Sequence, residues 1–230
     1  MKVPSNKKFL HEYLNAFAPV AQETEGQKIW SDYVTPFVDD MYMDAYGTSY
    51  GVRYSAGSGY GKDTPKVVIE AHCDEIAWII THIESDGYIR VMRHGGSDNM
   101  IAPSMTVMVH NDKGEKIPGV FGWPAIHTRK AAAEKSYEYH ELWVDVGADS
   151  KEAVEAMGIF AGNLITFDDK LKEMGDYYVG RSLDNKIGGY IIAEAARRLF
   201  EEGIKLPFDL YVVNSVQEEV GLYGAKMIAK

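Results

Sequence analysis

Over residues 5 to 38 apolar side chains recur at helical spacing: Phe9, Tyr13, Leu14 and Phe17, then Ile29, Tyr33, Val34 and Phe37, with Pro19 between the two runs. That pattern predicts a pair of amphipathic helices. From Met41 to Tyr60 the period is lost, and GTSYGVRYSAGSGYG reads as short strands joined by a mobile loop. The compact apolar run VVIEAH, residues 67 to 72, has the texture of a central buried strand.

Between about residues 77 and 165 short apolar runs alternate with turn signals, SDG at 85 to 87, HGGSDN at 94 to 99 and NDKGEKIPG at 111 to 119. Such spacing predicts a small β-rich module. DSKEAVEAMG adds one helix, with Asp149 or Ser150 as N-cap and Gly158 closing it. Beyond the module YYVGRSLDN ends a strand, and KIGGYIIAEAARRLFEEG is a helix with Ile187, Ile191 and Ala195 on one face and Gly203 after it. DLYVVNSVQEE is another buried strand. The expected fold class is α/β, one domain formed by 1–76 and 166–230 and interrupted by a β-rich insert over 77–165.

Composition narrows the partners. A chain of 230 residues with 46% apolar content can build a real core. The net charge of -10, with no clustering of Lys and Arg, excludes a nucleic-acid partner. No apolar run approaches the roughly 18 residues of a membrane span, and MKVPSNKKFLHEYL lacks the apolar stretch of a secretory signal. The lone Cys73 excludes an internal disulfide and suits a reducing compartment, so a cytoplasmic location is expected.

Candidate chemistry gathers at three strand ends: His72 and Asp74 after VVIEA, Asp184 after YYVGRSL, and Glu218 with Glu219 after LYVVNSVQ. Each piece alone has an ordinary structural reading, as a hydrogen-bonded His-x-Asp pair, an N-cap or a solvated edge. In α/β sheets, however, sites form outside the carboxyl ends of strands, so the three can converge. One imidazole among several carboxylates suggests a metal. On an extended segment residues two apart share a face, so Asp74 can orient the imidazole of His72 while Cys73 points away as a buried structural residue. By the same geometry Glu218 and Glu219 should diverge and do different jobs, one binding metal and one acting as a base. A carboxylate such as Asp184 can bridge two cations that share a water. The other histidines, His11, His82, His94, His110, His127 and His140, read as surface or packing residues.

AHCDEIAW, GRSLDNKIGG and SVQEEVGLYGAK resemble, in order and spacing, the motifs of the dinuclear metallo-aminopeptidases called tetrahedral or TET aminopeptidases, a family that includes glutamyl aminopeptidases and cellulase-M-like proteins. The insert is similar too, in GGSDNMIAPSMTVMVHNDKGEKIPGVFGWPAIH and VDVGADSKEAVEAMGIFAGNLITF. The resemblance implies a zinc-peptidase-like α/β/α catalytic domain with a PDZ-like dimerisation insert, and two divalent metals per subunit, zinc or cobalt. It implies that His72 binds one metal, Asp184 bridges, Glu219 binds the other, Glu218 is the general base and Asp74 orients His72. A cis Asp184–Asn185 peptide, peptide substrates, and dimers that assemble into a hollow dodecamer are implied as well.

The chain departs from the family pattern in places. Cys73 stands where Met is usual, Ala77 where Gly is usual, and APVAQE, residues 18 to 23, where Ala-Pro-Ser-Gly is usual. The family has two further ligands, an Asp beyond the Glu pair and a His near the C-terminus, and this sequence ends at Lys230. Counted without the family, His72 with Asp184 and Asp184 with Glu219 each fall short of the three protein ligands typical of a catalytic zinc. We therefore expect a fragment of a longer polypeptide, or a missing part supplied otherwise. The alternatives to an aminopeptidase are a deacylase or dipeptidase with the same metal pair, a non-catalytic truncated assembly subunit, and a glycoside hydrolase, which adjacent glutamates serve poorly.

Overall fold

The structure, a computed structural model, describes residues 5–55, 64–128 and 138–229. Along the chain, α1 (Lys7–Asn15) and α2 (Thr24–Val34) precede β1 (Asp40–Met43), β2 (Ser49–Arg53) and β3 (Lys66–His72). Then come β4 (Ala77–Ile83), β5 (Ile89–His94), β6 (Thr106–His110), β7 (Lys116–Gly122), β8 (Trp143–Asp145), α3 (Lys151–Ala156) and β9 (Leu164–Phe167). The chain continues through β10 (Lys172–Met174), β11 (Tyr177–Val179), α4 (Leu183–Glu201), β12 (Asp209–Ser215) and α5 (Tyr223–Ile228). Two compact units result, Met1–Glu75 with Lys170–Lys230, and Ile76–Asp169.

In the first unit four strands run in the order β1-β2-β12-β3. β12 lies antiparallel to β2 and parallel to β3, with Val212 opposite Gly51 and Ile69. Alternation along β12 and β3 sends Leu210, Val212, Ile69 and Ala71 to the side where α1, α2 and α4 pack. Phe9, Tyr13, Leu14, Trp30, Val34, Cys73 and Ala193 complete that core. Asn6 caps α1 by accepting the Phe9 N–H. The second helix turns Gln27, Trp30 and Val34 inward, with the expected Ile29 and Tyr33 partly buried against the same core, and the Trp30 indole donates to the Gly189 carbonyl of α4.

Three expectations change. VVIEAH is the terminal strand of its sheet among the described residues, with Val68 53% exposed; an apolar run reports strand propensity, not position in a sheet. Asp184 follows β11, which belongs to a separate two-stranded ribbon with β10, so it enters from the start of α4 and not from a main-sheet strand. Finally, Ile191 is exposed on α4, whose inward stripe holds Lys186, Gly189, Tyr190, Ala193, Glu194 and Arg197. Hydrophobic periodicity misplaces that face because three of its members are charged.

The second unit is a closed barrel of six strands, β4-β5-β8-β7-β6-β9. Its interior is Trp78, Ile80, Val91, Val107, Val109, Phe121, Val144 and Ile165, with Val154 of α3 packed against them. Ser150 caps α3 by accepting the Ala153 N–H, and Gly158 follows it at φ 79. Of the aromatic residues in this region, Trp123 packs against the core and Tyr139 is exposed, while Tyr137 lies outside the described residues, as do positions 56–63 of the Gly-rich segment. No helix among the described residues is long and apolar enough to cross a membrane.

Candidate functional site

The parallel pairing of β3 with β12 places Ser215 opposite His72, so the chain leaving β12 emerges beside the imidazole. The Cys73 N–H donates to the Ser215 carbonyl at 2.8 Å and carries the ladder one step further. Cys73 turns into the helix-facing core, where burial pushes its thiol up to about 12. His72, on the other face, is buried, its side chain 7% exposed.

The imidazole is fixed by its own strand end. Nδ1 lies 3.1 Å from the main-chain carbonyl of Asp74, an acceptor only, so Nδ1 carries the proton and Nε2 faces the site. The Asp74 carboxylate is farther from Nδ1, at 3.5 Å, because it has another task. Its Oδ1 accepts the Glu218 N–H and its Oδ2 accepts the Glu219 N–H, both at 3.0 Å. Asp74 is fully buried, so this doubly bonded carboxylate ties the end of β3 to the segment after β12.

That segment is a tight turn and not an extended strand. Gln217 has φ 55, and the Glu218 carbonyl accepts the N–H groups of Gly221 at 2.8 Å and Leu222 at 3.0 Å. The Glu23 carboxylate, at the start of α2, accepts the N–H groups of Ala21 at 2.8 Å and Gln217 at 3.2 Å and holds the turn from its other side. The two glutamates consequently do not diverge as strand neighbours would. His72, Glu218 and Glu219 each offer one ligand atom, and these atoms lie within 4.8 Å of one another.

Asp184 completes the group from α4. Its Oδ1 lies 3.3 Å from His72 Nε2, and Glu218 Oε2 lies 3.6 Å from the same nitrogen. Asp184 departs from helical geometry at ψ 109, and the Asp184–Asn185 peptide is cis. Burial alone would lower His72, but hydrogen bonding and charge from Asp74, then the charge of Glu218, lift it to about 9. Glu219 is raised by burial against the pull of His72, with Asp74, Glu218 and Asp184 adding to the rise. Four carboxyl groups around one imidazole form an electron-rich pocket, and an imidazole nitrogen with carboxylate oxygens is a donor set that fits a divalent cation.

The structure thus brings His72, Asp74, Asp184, Glu218 and Glu219 together. Sequence reasoning passed over Glu23, Glu75, Arg181 and Lys186, which brace these residues from behind. Their only signal in the sequence is charge close to the candidate residues or to the start of a helix, and that does not reveal which charges are buried.

The profile of the family described as M42 glutamyl aminopeptidase matches residues 55–230. The chain is 33% identical to the lysyl aminopeptidase of Pyrococcus furiosus over 85% of its own length and 54% of the relative. Among solved structures, the aminopeptidase APDkam598 of Desulfurococcus kamchatkensis is 33% identical at TM-score 0.87, covering 96% of this chain and 58% of that one. The Pyrococcus horikoshii TET1 peptidase, described as assembling into a tetrahedron or a large octahedral shell, is 25% identical at TM-score 0.82 over 97% of this chain and 64% of that one. The chain therefore spans between half and two thirds of the length of these relatives.

Proposed function

The chain belongs to the M42 glutamyl aminopeptidase family, and from that premise we propose that it contributes the metal centre of an aminopeptidase that hydrolyses the first peptide bond of peptides. The observation that carries this reading is the meeting of His72, Glu218 and Glu219 within 4.8 Å, with Asp184 3.3 Å from His72. His72 would hold one divalent cation through Nε2, Glu219 the other, and Asp184 both; zinc or cobalt suits these donors. When bound, such a pair polarises the scissile carbonyl and lowers the pKa of a water.

The chain's own groups do the rest. Asp74 holds the backbone of Glu218 and Glu219, so the two side chains start from a fixed turn. The partly exposed Glu218 would take the proton of the water and deliver it to the leaving amine, the work of a general base that then acts as an acid. The imidazole nitrogen that meets these carboxylates favours the peptidase reading over a glycosidase, which needs two carboxyl groups placed across the glycosidic bond. The unit Ile76–Asp169 would serve as the PDZ-like dimerisation module, and self-association of dimers into a dodecamer is supported by the likeness to a TET1 peptidase structure described as a dodecamer. A single buried cysteine supports a cytoplasmic location.

Elemental analysis of the protein after dialysis against zinc or cobalt, followed by assay on aminoacyl-anilide substrates, tests the reading. About two metals per chain with chelator-sensitive hydrolysis is the expected result. Failure to bind any metal would overturn it for this chain.

A further inference from the structure

The strand end that carries His72 and the helix start that carries Asp184 are joined by a second charge cluster, set behind the metal centre. Glu75, 2% exposed, is enclosed by donors. Lys186, wholly buried, donates from Nζ to Glu75 Oε1 at 3.1 Å and to the Ala16 carbonyl at 2.7 Å. Arg181 donates from Nε to Glu75 Oε2 at 2.9 Å, and its Nη2 reaches the Asn15 and Ala16 carbonyls at 3.4 Å. The Ser182 hydroxyl donates to Oε2, and the Ala18 N–H donates to Oε1 at 3.0 Å. The Glu75 N–H in turn donates to the Ala18 carbonyl at 2.9 Å.

Burial alone would raise Glu75, but the charges of Lys186 and Arg181, then the Ser182 hydroxyl and the Ala18 N–H, hold it down to about 2. A buried cluster of this kind seldom adds net stability over apolar residues of the same volume, so its placement asks for another explanation. The placement is specific. Arg181 and Ser182 precede Asp184 and Lys186 follows it, while Glu75 lies three residues beyond His72. The Asp184 side chain is 89% exposed, so packing of its own atoms does not fix it.

We propose that Glu75 is a positioning residue for the metal centre: by gripping Arg181, Ser182 and Lys186 it fixes both flanks of Asp184 against the end of β3 and sets the 3.3 Å approach of Asp184 Oδ1 to His72 Nε2. This rests on the reading of His72 and Asp184 as ligands of a shared cation pair. A glutamine at position 75 keeps the shape but offers one acceptor oxygen in place of two, so Arg181 and Ser182 lose their shared partner or Lys186 and Ala18 lose theirs.

The test compares crystal structures of metal-free protein with cobalt(II) titrations followed by visible absorption, for wild type, Glu75→Gln and the double variant Glu75→Gln with Lys186→Met. The double variant removes one buried charge of each sign, and it decides the matter if the single variant fails to fold. Glu194→Gln is the control: it breaks the buried Glu194–Arg197 pair farther along α4 and touches neither ligand. We expect the Glu75 variants to separate His72 from Asp184 by about 1 Å or more, to lose about 10- to 100-fold in cobalt affinity and to shift the visible band, while Glu194→Gln moves none of these. A folded Glu75 variant with the wild-type separation and cobalt affinity would overturn the proposal. If wild type itself binds no cobalt, the metal reading fails, and the His72–Asp184 separation still decides the role of Glu75.

Discussion

Asp74 Oδ1 accepts the backbone N–H of Glu218 at 3.0 Å, and Oδ2 does the same for the next residue. Two residues remote in sequence are joined by a fully buried carboxylate, and the acidic pair is aimed by its main chain before its side chains meet anything. An asparagine can accept only one of these N–H groups and sets its NH₂ against the other. Asp74→Asn is expected to lower stability by about 1–3 kcal/mol in urea unfolding and to reduce kcat together with it. Wild-type values for both would show that this carboxylate holds nothing of consequence.

Glu218→Gln tests the proposed division of the site into a base and metal ligands. The amide keeps the size of the side chain and the turn, whose contacts are made by the backbone, but it cannot take a proton. Turnover is expected to fall about 10²- to 10⁴-fold while the metal content stays at the wild-type level. Parallel elemental analysis and rate measurements check this; undiminished turnover sinks the assignment.

Glu75 makes acid stability a reading of the buried cluster. Its carboxyl is depressed from the ordinary 4.5 to about 2, so the folded state holds its proton less tightly than the unfolded chain. The stabilisation is therefore fully present above about pH 4.5 and drains away as the pH falls toward 2, on the order of 3 kcal/mol in all. Glu75→Gln lacks this titration. The gap in urea midpoint between wild type and variant should narrow on moving from neutral pH to about pH 3. A gap that does not change with pH contradicts the depressed value.

Gly189→Ala sets helix propensity against packing. Alanine in a helix interior normally gains about 1 kcal/mol over glycine. Here the added Cβ would lie 2.6 Å from the Tyr13 hydroxyl, which is buried and donates to Asn214 Oδ1 at 2.8 Å. Overpacking of this kind costs about 1–3 kcal/mol, so a net loss is expected in thermal unfolding. A higher Tm would mean that Tyr13 yields more readily than its surroundings suggest.

The order of elements was legible because each announces itself locally. Helical spacing marks α1 and α2, turn residues mark the barrel strands, and Ser150 with Gly158 bounds α3. The residues of the candidate site were legible in the same way, since His72, Asp184, Glu218 and Glu219 stand at the breaks that end apolar runs.

Only the tertiary structure decided how those groups meet. Strand geometry predicts that adjacent glutamates diverge, but Gln217 at φ 55 and the Asp74 carboxylate fold them into one turn facing His72. Apolar spacing on α4 points to Ile191, whereas the inward face carries Lys186, because Glu75 and the Ala16 carbonyl satisfy its charge. Local pattern records the preference of each residue for water or for a core. Whether a charged residue can be buried depends on partners that arrive from 111 and 170 positions away, and a local pattern carries no record of them.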